Sequence, residues 1–243
     1  EQVPEFIKAM RLLNMQGCNV TMPCKTAAAQ NMDELSPASQ LIGAVNTIVN
    51  RDGKLYGHIT DGEGFVANLK DHGVEVKDKN IVIFGAGGAA TAIQVQCALD
   101  GAKSITIFNP RDGFFEKAEK MVGKIQDKVP GCQVELYDLD AKDAMKEKID
   151  AADILVNGTL LGMKPREDTS IINDPDLFHE GLVVADVVYN PKETRLLREA
   201  KEHGCVTVPG SGMLLWQGVA AFKLFTGKDM PVEEVKEKFF SEA

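Results

Sequence analysis

The chain has 243 residues, 44% of them hydrophobic and 26% charged, which fits one large folded domain or two smaller ones. Its net charge of −9 excludes the basic footprint of a nucleic-acid binder. No run approaches the roughly 18 consecutive apolar residues a membrane span needs. Five scattered cysteines (Cys18, Cys24, Cys97, Cys132, Cys205) include no C-x-x-C pair. Free thiols in a reducing, cytoplasmic compartment are therefore expected, with no membrane or nucleic-acid partner and no metal. The first residues have neither the basic start nor the apolar stretch of a signal peptide, and they lack an initiator Met.

In chain order, residues 3–15 place Phe6, Ile7, Met10 and Leu13 at helical spacing, predicting a short amphipathic helix. Residues 17–22 read as a strand stopping at Pro23, 25–32 as a brief helix, and Ser36-Pro37 as a turn. Two β-rich runs, 45–49 and 54–60, flank Asn50-Arg51-Asp52-Gly53. Asp-Gly supplies positive φ readily, so these runs predict a hairpin.

After Asp61-Gly62 the pattern changes to strand–helix alternation. Strands are predicted at 81–84, 104–108, 134–137, 154–156, 182–188 and 206–208, with helices at 88–100, 114–128, 141–149 and 194–203. Several of these strands are nearly continuous apolar runs, as expected where helices cover both faces. The fold class is therefore α/β, with a Rossmann-type, doubly wound parallel sheet over about 62–209. Two further helical segments, 213–225 and 231–240, are not needed to complete that sheet.

Directly after the strand at 81–84 stands Gly85-Ala86-Gly87-Gly88-Ala89-Ala90, which fits G-x-G-x-x-G/A. Gly85 permits the tight turn, Gly87 lets the backbone approach a pyrophosphate, and Ala90 allows close helix–strand packing. The following helix start offers free N–H groups to phosphates. Its strand–loop–helix context, with further βα units following, favours dinucleotide binding over a glycine-rich turn that binds something else or nothing. At the end of the second strand, Asn109-Pro110-Arg111-Asp112 carries one acid and one Arg. Asp112 reads equally as a ribose-binding acid or as the cap of the next helix.

Outside that half, polar residues gather at unusual places: Asn19, Thr21 and Lys25 around a strand end, Asn46 and Thr47 in a strand, Thr60-Asp61 after the hairpin, and Gln217 in an apolar helix. Singly, each has a plain structural explanation: a solvated lysine, a helix N-cap, an interface amide. Together they read as one lining, at the boundary where a cofactor domain needs a second wall.

The chain resembles the shikimate/quinate dehydrogenase family through N-V-T-M-P-C-K (19–25), G-A-V-N-T (43–47), T-D-G-E-G-F (60–65), G-A-G-G-A-A (85–90), N-G-T-L-L-G-M (157–163), D-V-V-Y-N-P (186–191) and G-S-G-M-L-L-W-Q-G (210–218). The resemblance implies a smaller α/β substrate domain at 1–61, the Rossmann domain at 62–209, and C-terminal helices at 210–243 that return to the first. It implies Lys25 and Asp61 as the catalytic pair. Substrate-binding groups would be Asn19, Thr21, Asn46, Tyr189 and Gln217. The cofactor would meet Gly85, Ala86, Gly87, Gly88, Ala89, Asn109, Arg111, Asp112, Asn157, Thr159, Met163, Val188, Gly210 and Met213. The implied ligand is a polyhydroxylated cyclohexene or cyclohexane carboxylate, and the implied assembly a monomer or homodimer. NADP-specific members carry Arg where this chain has Pro110, so NAD is expected to be preferred, with NADP as the alternative. Three departures stand out: no Ser-x-Ser-Pro segment precedes the match, Ile59 replaces an Asn, and Cys24 replaces a polar residue. The expectation is a substrate domain lacking its N-terminal part, and the rival expectation a truncated or impaired member that binds dinucleotide without turnover.

Overall fold

The computed structural model describes residues 2–240. Helix α1 (Val3–Leu12) turns Ile7 and Met10 inward. Strand β1 (Gly17–Asn19) is shorter than the predicted 17–22. Val20 still donates to the Asn46 carbonyl, but Thr21 turns the chain by accepting from the Cys24 N–H. Helix α2 (Lys25–Ala29) follows. Strand β2 (Glu34–Leu35) was not anticipated, because two residues carry no readable periodicity. Where only a turn was expected, Ser36 caps helix α3 (Pro37–Ile42) by accepting from the Ser39 N–H; Pro37 fills the first helical position, where no N–H is needed.

Strands β3 (Thr47–Arg51) and β4 (Lys54–His58) form the expected hairpin. Both turn residues take positive φ, 53° at Asp52 and 86° at Gly53, matching the natural twist of paired strands. The first sheet has the order β1-β3-β4-β2, with β2 parallel to β4 and the other pairs antiparallel. Ile7, Met10, Ala28, Val45, Ile48 and Leu55 form its core.

Helix α4 (Asp61–Asp71) leads into the second sheet. There β5 (Asn80–Phe84), α5 (Gly88–Leu99), β6 (Ser104–Asn109), α6 (Phe115–Lys128), β7 (Gln133–Asp138), α7 (Lys142–Asp150), β8 (Ile154–Asn157), β9 (Val183–Asp186), α8 (Arg195–Glu202) and β10 (Val206–Val208) alternate. All strand pairs are parallel, in the order β10-β9-β8-β5-β6-β7. The chain starts at β5, builds outward to β7, then returns to build β8 to β10, so the direction reverses between β5 and β8, where doubly wound sheets bind ligands. Alternation along β5 explains its all-apolar sequence: Ile81 and Ile83 enter the core shared with α4 and α5, while Val82 and Phe84 enter the core on the opposite face. Strand β9 ends earlier than predicted because the Asp186 carboxylate takes the Val188 N–H and bends the chain out of the sheet.

Helix α9 (Gly210–Thr226) packs along α4. The predicted helix at 231–240 is instead α10 (Val232–Val235) followed by a π turn, Lys236–Phe240. Lys236 anchors that turn to Asp71 at 2.7 Å. No helix among the described residues is long and apolar enough to cross a membrane.

Candidate active site

The first residue of α2 and the first residue of α4 meet: Lys25 Nζ lies 2.6 Å from Asp61 Oδ2, with the side chains only 25% and 19% exposed. Thirty-six positions separate them in the chain, and four local devices bring them together. The Lys25 carbonyl accepts from the Val45 N–H, which fixes α2 against the start of β3. Asn46, on the adjoining residue, accepts the Thr60 N–H at 2.9 Å and donates to Thr60 Oγ1 at 3.0 Å. That holds the chain one residue before Asp61. A Cβ on Gly64 would come within 2.5 Å of the Gln217 backbone nitrogen, and one on Gly62 within 2.4 Å of the Ala92 carbonyl. The two glycines of the T-D-G-E-G-F stretch thus let α4 press against α9 and α5 at once. Lastly, Asn68 Nδ2 donates to the Pro209 carbonyl at 2.9 Å, tying α4 to the start of α9. Asp61 itself is the first helical residue, not the N-cap, so its carboxylate sits at the positive end of the α4 dipole.

The pair opens into a cavity of about 740 Å³. All the residues expected to bind substrate line it: Asn19, Thr21, Asn46, Tyr189 and Gln217. So do Ala89, Thr159, Met163, Val188, Gly210 and Met213 from the set expected to meet the cofactor. Tyr189 is exposed, and the Gln217 amide donates to the Leu214 carbonyl of its own helix, leaving its oxygen outward. A second groove of about 700 Å³ runs beside α1 past Cys18, Cys24 and Met22, and contains neither Lys25 nor Asp61.

Gly85, Ala86, Gly87, Gly88, Asn109, Arg111, Asp112 and Asn157 lie outside that lining, at the ends of β5, β6 and β8. The glycine loop fits a dinucleotide. Gly85 has φ of +103°, and a Cβ on Gly87 or Gly88 would meet nothing within 4 Å, so the loop backbone faces open space. The N-terminus of α5 begins there with its first N–H groups unpaired within the helix. Asn157, by contrast, is buried with its amide fully used: Nδ2 donates to the Leu161 carbonyl and Asp186 Oδ1, while Oδ1 accepts from Thr159 N–H and Oγ1. It shapes the loop and has no free donor to offer a ligand. Asp112 is not the cap of α6, whose N-cap is Phe114 with no side-chain hydrogen bond; it instead closes the turn before the helix, accepting from the Phe114 N–H at 2.8 Å and from Asn109 Nδ2 at 3.1 Å, both on Oδ1. Its other carboxylate oxygen takes no hydrogen bond from the described residues.

The matches to known proteins agree with this geometry. Residues 1–48 match the model described as the shikimate dehydrogenase substrate binding domain, and residues 210–238 the shikimate 5'-dehydrogenase C-terminal domain. Shikimate dehydrogenase (NADP(+)) of Streptococcus uberis is 49% identical over all of this chain and 83% of its own length. Quinate/shikimate dehydrogenase of Escherichia coli is 47% identical, covering 98% of this chain and 82% of the relative. The chain belongs to the shikimate/quinate dehydrogenase family. The crystal structure of shikimate 5-dehydrogenase from Listeria monocytogenes, in complex with shikimate and NAD, superposes with a TM-score of 0.95 at 47% identity, over 97% of this chain and 81% of that one. This dehydrogenase is thus an oxidoreductase of the nicotinamide-dependent kind, on a Rossmann-type α/β fold.

Sequence reasoning missed several residues of this dehydrogenase. Leu214, Ala221, Phe222 and Phe225 of α9 form an apolar wall of the cavity, a stripe legible because positions i, i+7, i+8 and i+11 share one helix face. Asp186 carried no signal beyond its place in the D-V-V-Y-N-P stretch. It is 1% exposed and joins β8 and α8 by accepting from Asn157 Nδ2 at 2.9 Å and Thr194 Oγ1 at 2.7 Å. Burial pushes its carboxyl above the usual carboxylate range, although these hydrogen bonds pull the other way.

Proposed function

We propose that this chain oxidises the ring hydroxyl of shikimate or quinate, and reduces the corresponding ketone, with NAD as its preferred cofactor. The observation that carries the reading is the 2.6 Å Lys25–Asp61 pair opening onto a cavity lined by neutral amides and hydroxyls. Three donors project from a lysine ammonium; one is taken by Asp61, and the others are free for a substrate oxygen. When bound, the nicotinamide supplies the hydride acceptor or donor. In the oxidation Lys25 acts from its neutral amine, taking the hydroxyl proton as the carbonyl forms and so becoming the ammonium; in the reduction the ammonium returns that proton to the oxygen. As an ammonium it also stabilises negative charge on that oxygen. Asp61 fixes the direction of Nζ. Asn19, Thr21, Asn46, Tyr189 and Gln217 hold the remaining hydroxyls and the carboxylate, and such a site rejects analogues that leave a buried donor unpaired. Apolar side chains from α9 keep water from the reacting face.

The division of labour follows the two sheets: 1–61 with the returning helices at 210–243 for the substrate, and 62–209 for the dinucleotide. Gly85 to Ala89 and the start of α5 hold the pyrophosphate, Asp112 meets the adenine ribose, and Thr159, Met163, Val188, Gly210 and Met213 border the nicotinamide. Support for NAD comes from Pro110, which has neither charge nor donor for an additional phosphate, and from the free oxygen of Asp112.

The test is a spectrophotometric assay of NADH and NADPH formation with shikimate and with quinate, beside calorimetric titration of NAD without substrate. Turnover with either acid and a higher kcat/KM for NAD is the expected result. Dinucleotide binding with no turnover would overturn the catalytic reading in favour of a binding-only member.

A further inference from the structure

Asp138 ends β7, one strand over from the adenosine turn at 109–112. Its Oδ2 lies 2.8 Å from Arg111 Nε, and its Oδ1 accepts the Asp140 N–H at 3.0 Å. The Arg111 guanidinium also lies over the Phe115 ring, 4.8 Å from the centroid. The cation of this turn is therefore engaged twice, laterally along the β6–β7 edge and against an aromatic face. Meanwhile the turn closes on itself through Asn109, whose Nδ2 donates to the Pro110 carbonyl and to Asp112.

We propose that Asp138 is a positioning residue for cofactor choice: by holding Arg111 along the β6–β7 edge, it withholds the guanidinium from the ribose 2′ position and leaves Asp112 to meet it. The inference rests on the placement of the adenine ribose at the end of β6 given above. A ribose diol donates to a carboxylate, which Asp112 can accept. A 2′-phosphate needs a cation instead, and here it would meet Asp112 and Asp138 with the nearby guanidinium already neutralised. The control is graded, because both side chains of the ion pair reach solvent, at 70% and 28% exposure. Exposed pairs and exposed cation–π contacts are individually weak, so releasing Arg111 should change cofactor preference about 3- to 10-fold.

A four-protein cycle tests this: the parent, Asp138→Asn, Arg111→Gln and the double variant, each assayed for kcat/KM with NAD and NADP. Asparagine keeps the size of Asp138 and still accepts the Asp140 N–H, but it removes the charge that holds Arg111. Asp138→Asn should raise the NADP:NAD ratio about 3- to 10-fold, and the double variant should lose that gain. An equal rise with and without Arg111 would mean that only a repelling charge was removed, and would overturn the tether. No rise at all would overturn it too. Thermal unfolding of each variant verifies that the fold persists. Should the parent prefer NADP, the NAD reading falls, yet non-additivity in the cycle still decides the role of Asp138.

Discussion

The two ends of the cleft are built in opposite ways. At one end, Lys25 and Asp61 come from different elements and depend on Asn46, Thr60, Gly62 and Gly64 for their meeting. At the other, Asn109, Pro110 and Asp112 form a turn whose side-chain hydrogen bonds span one to three residues, and the next strand reaches in through Asp138, paired with Arg111, and through the Leu139 N–H, which donates to the Asn109 carbonyl. Distributed geometry depends on backbones pressed together, so small insults there should spread. A self-contained turn can be rewritten without disturbing what surrounds it.

The comparison can be broken most directly at Lys25. Lys25→Ala should lower kcat by about 10²- to 10⁴-fold and change the NAD dissociation constant little, as read by steady-state kinetics and calorimetry. Near-parent turnover would make Lys25 an ordinary half-buried lysine. Gly64→Ala probes the same end through the backbone. Its new methyl would stand 2.5 Å from the Gln217 nitrogen, forcing α4 and α9 apart at a cost of about 1–3 kcal/mol. A lower melting temperature together with reduced kcat is expected; an unchanged melting temperature would show that the helices separate freely.

At the other end, Pro110→Arg with Asp112→Ser should move the NADP:NAD ratio of kcat/KM by about tenfold, equivalent to ~1.4 kcal/mol, at little cost in stability. A large loss of stability would contradict the self-contained turn. The smallest effect concerns Asp186, which belongs to neither end. Its carboxyl is raised in the folded state, so the native protein binds that proton more tightly than the unfolded chain. Stability should then fall as pH rises from the ordinary carboxylate value to the raised one, and flatten above it. Subtracting the pH profile of Asp186→Asn from that of the parent isolates this slope; a difference profile with no fall would contradict it.

The same contrast governs what could be read in advance. The inner parallel strands β5, β8 and β9 were legible because they are buried on both faces and therefore largely apolar, the outer ones because helices alternate with them, and the glycine loop because Gly85 takes a φ of +103° that favours glycine. The hairpin announced itself through Asp52-Gly53. Asp112 shows the limit of such reading, since the sequence marks a turn carboxylate without showing that it closes the turn before α6 and leaves the helix cap to Phe114. Strand β2 escaped because a two-residue element owes its form to partners far away, Tyr56 and Gly57, and helix α3 because six residues carry too little periodicity to turn the Ser36-Pro37 signal into a helix. The candidate residues on the first sheet and on α9 gathered into one lining by their unusual polar placement, but their roles came only from resemblance. No spacing rule predicts that positions 25 and 61 touch, and nothing local marks Asp186 as the knot between β8, β9 and α8. Asn157 was legible as important but not in kind, because its amide faces inward.

The cavity's apolar wall is α9, residues 210–226, which follows both sheets in chain order. On the ribosome, therefore, the glycine loop and both members of the Lys25–Asp61 pair emerge before the cavity they border has its last side. Until α9 docks on α4, the glycine faces at Gly62 and Gly64 lack one partner surface, and substrate would meet an open trough. The cavity is thus completed by the last long helix to be synthesised, after every strand of both sheets.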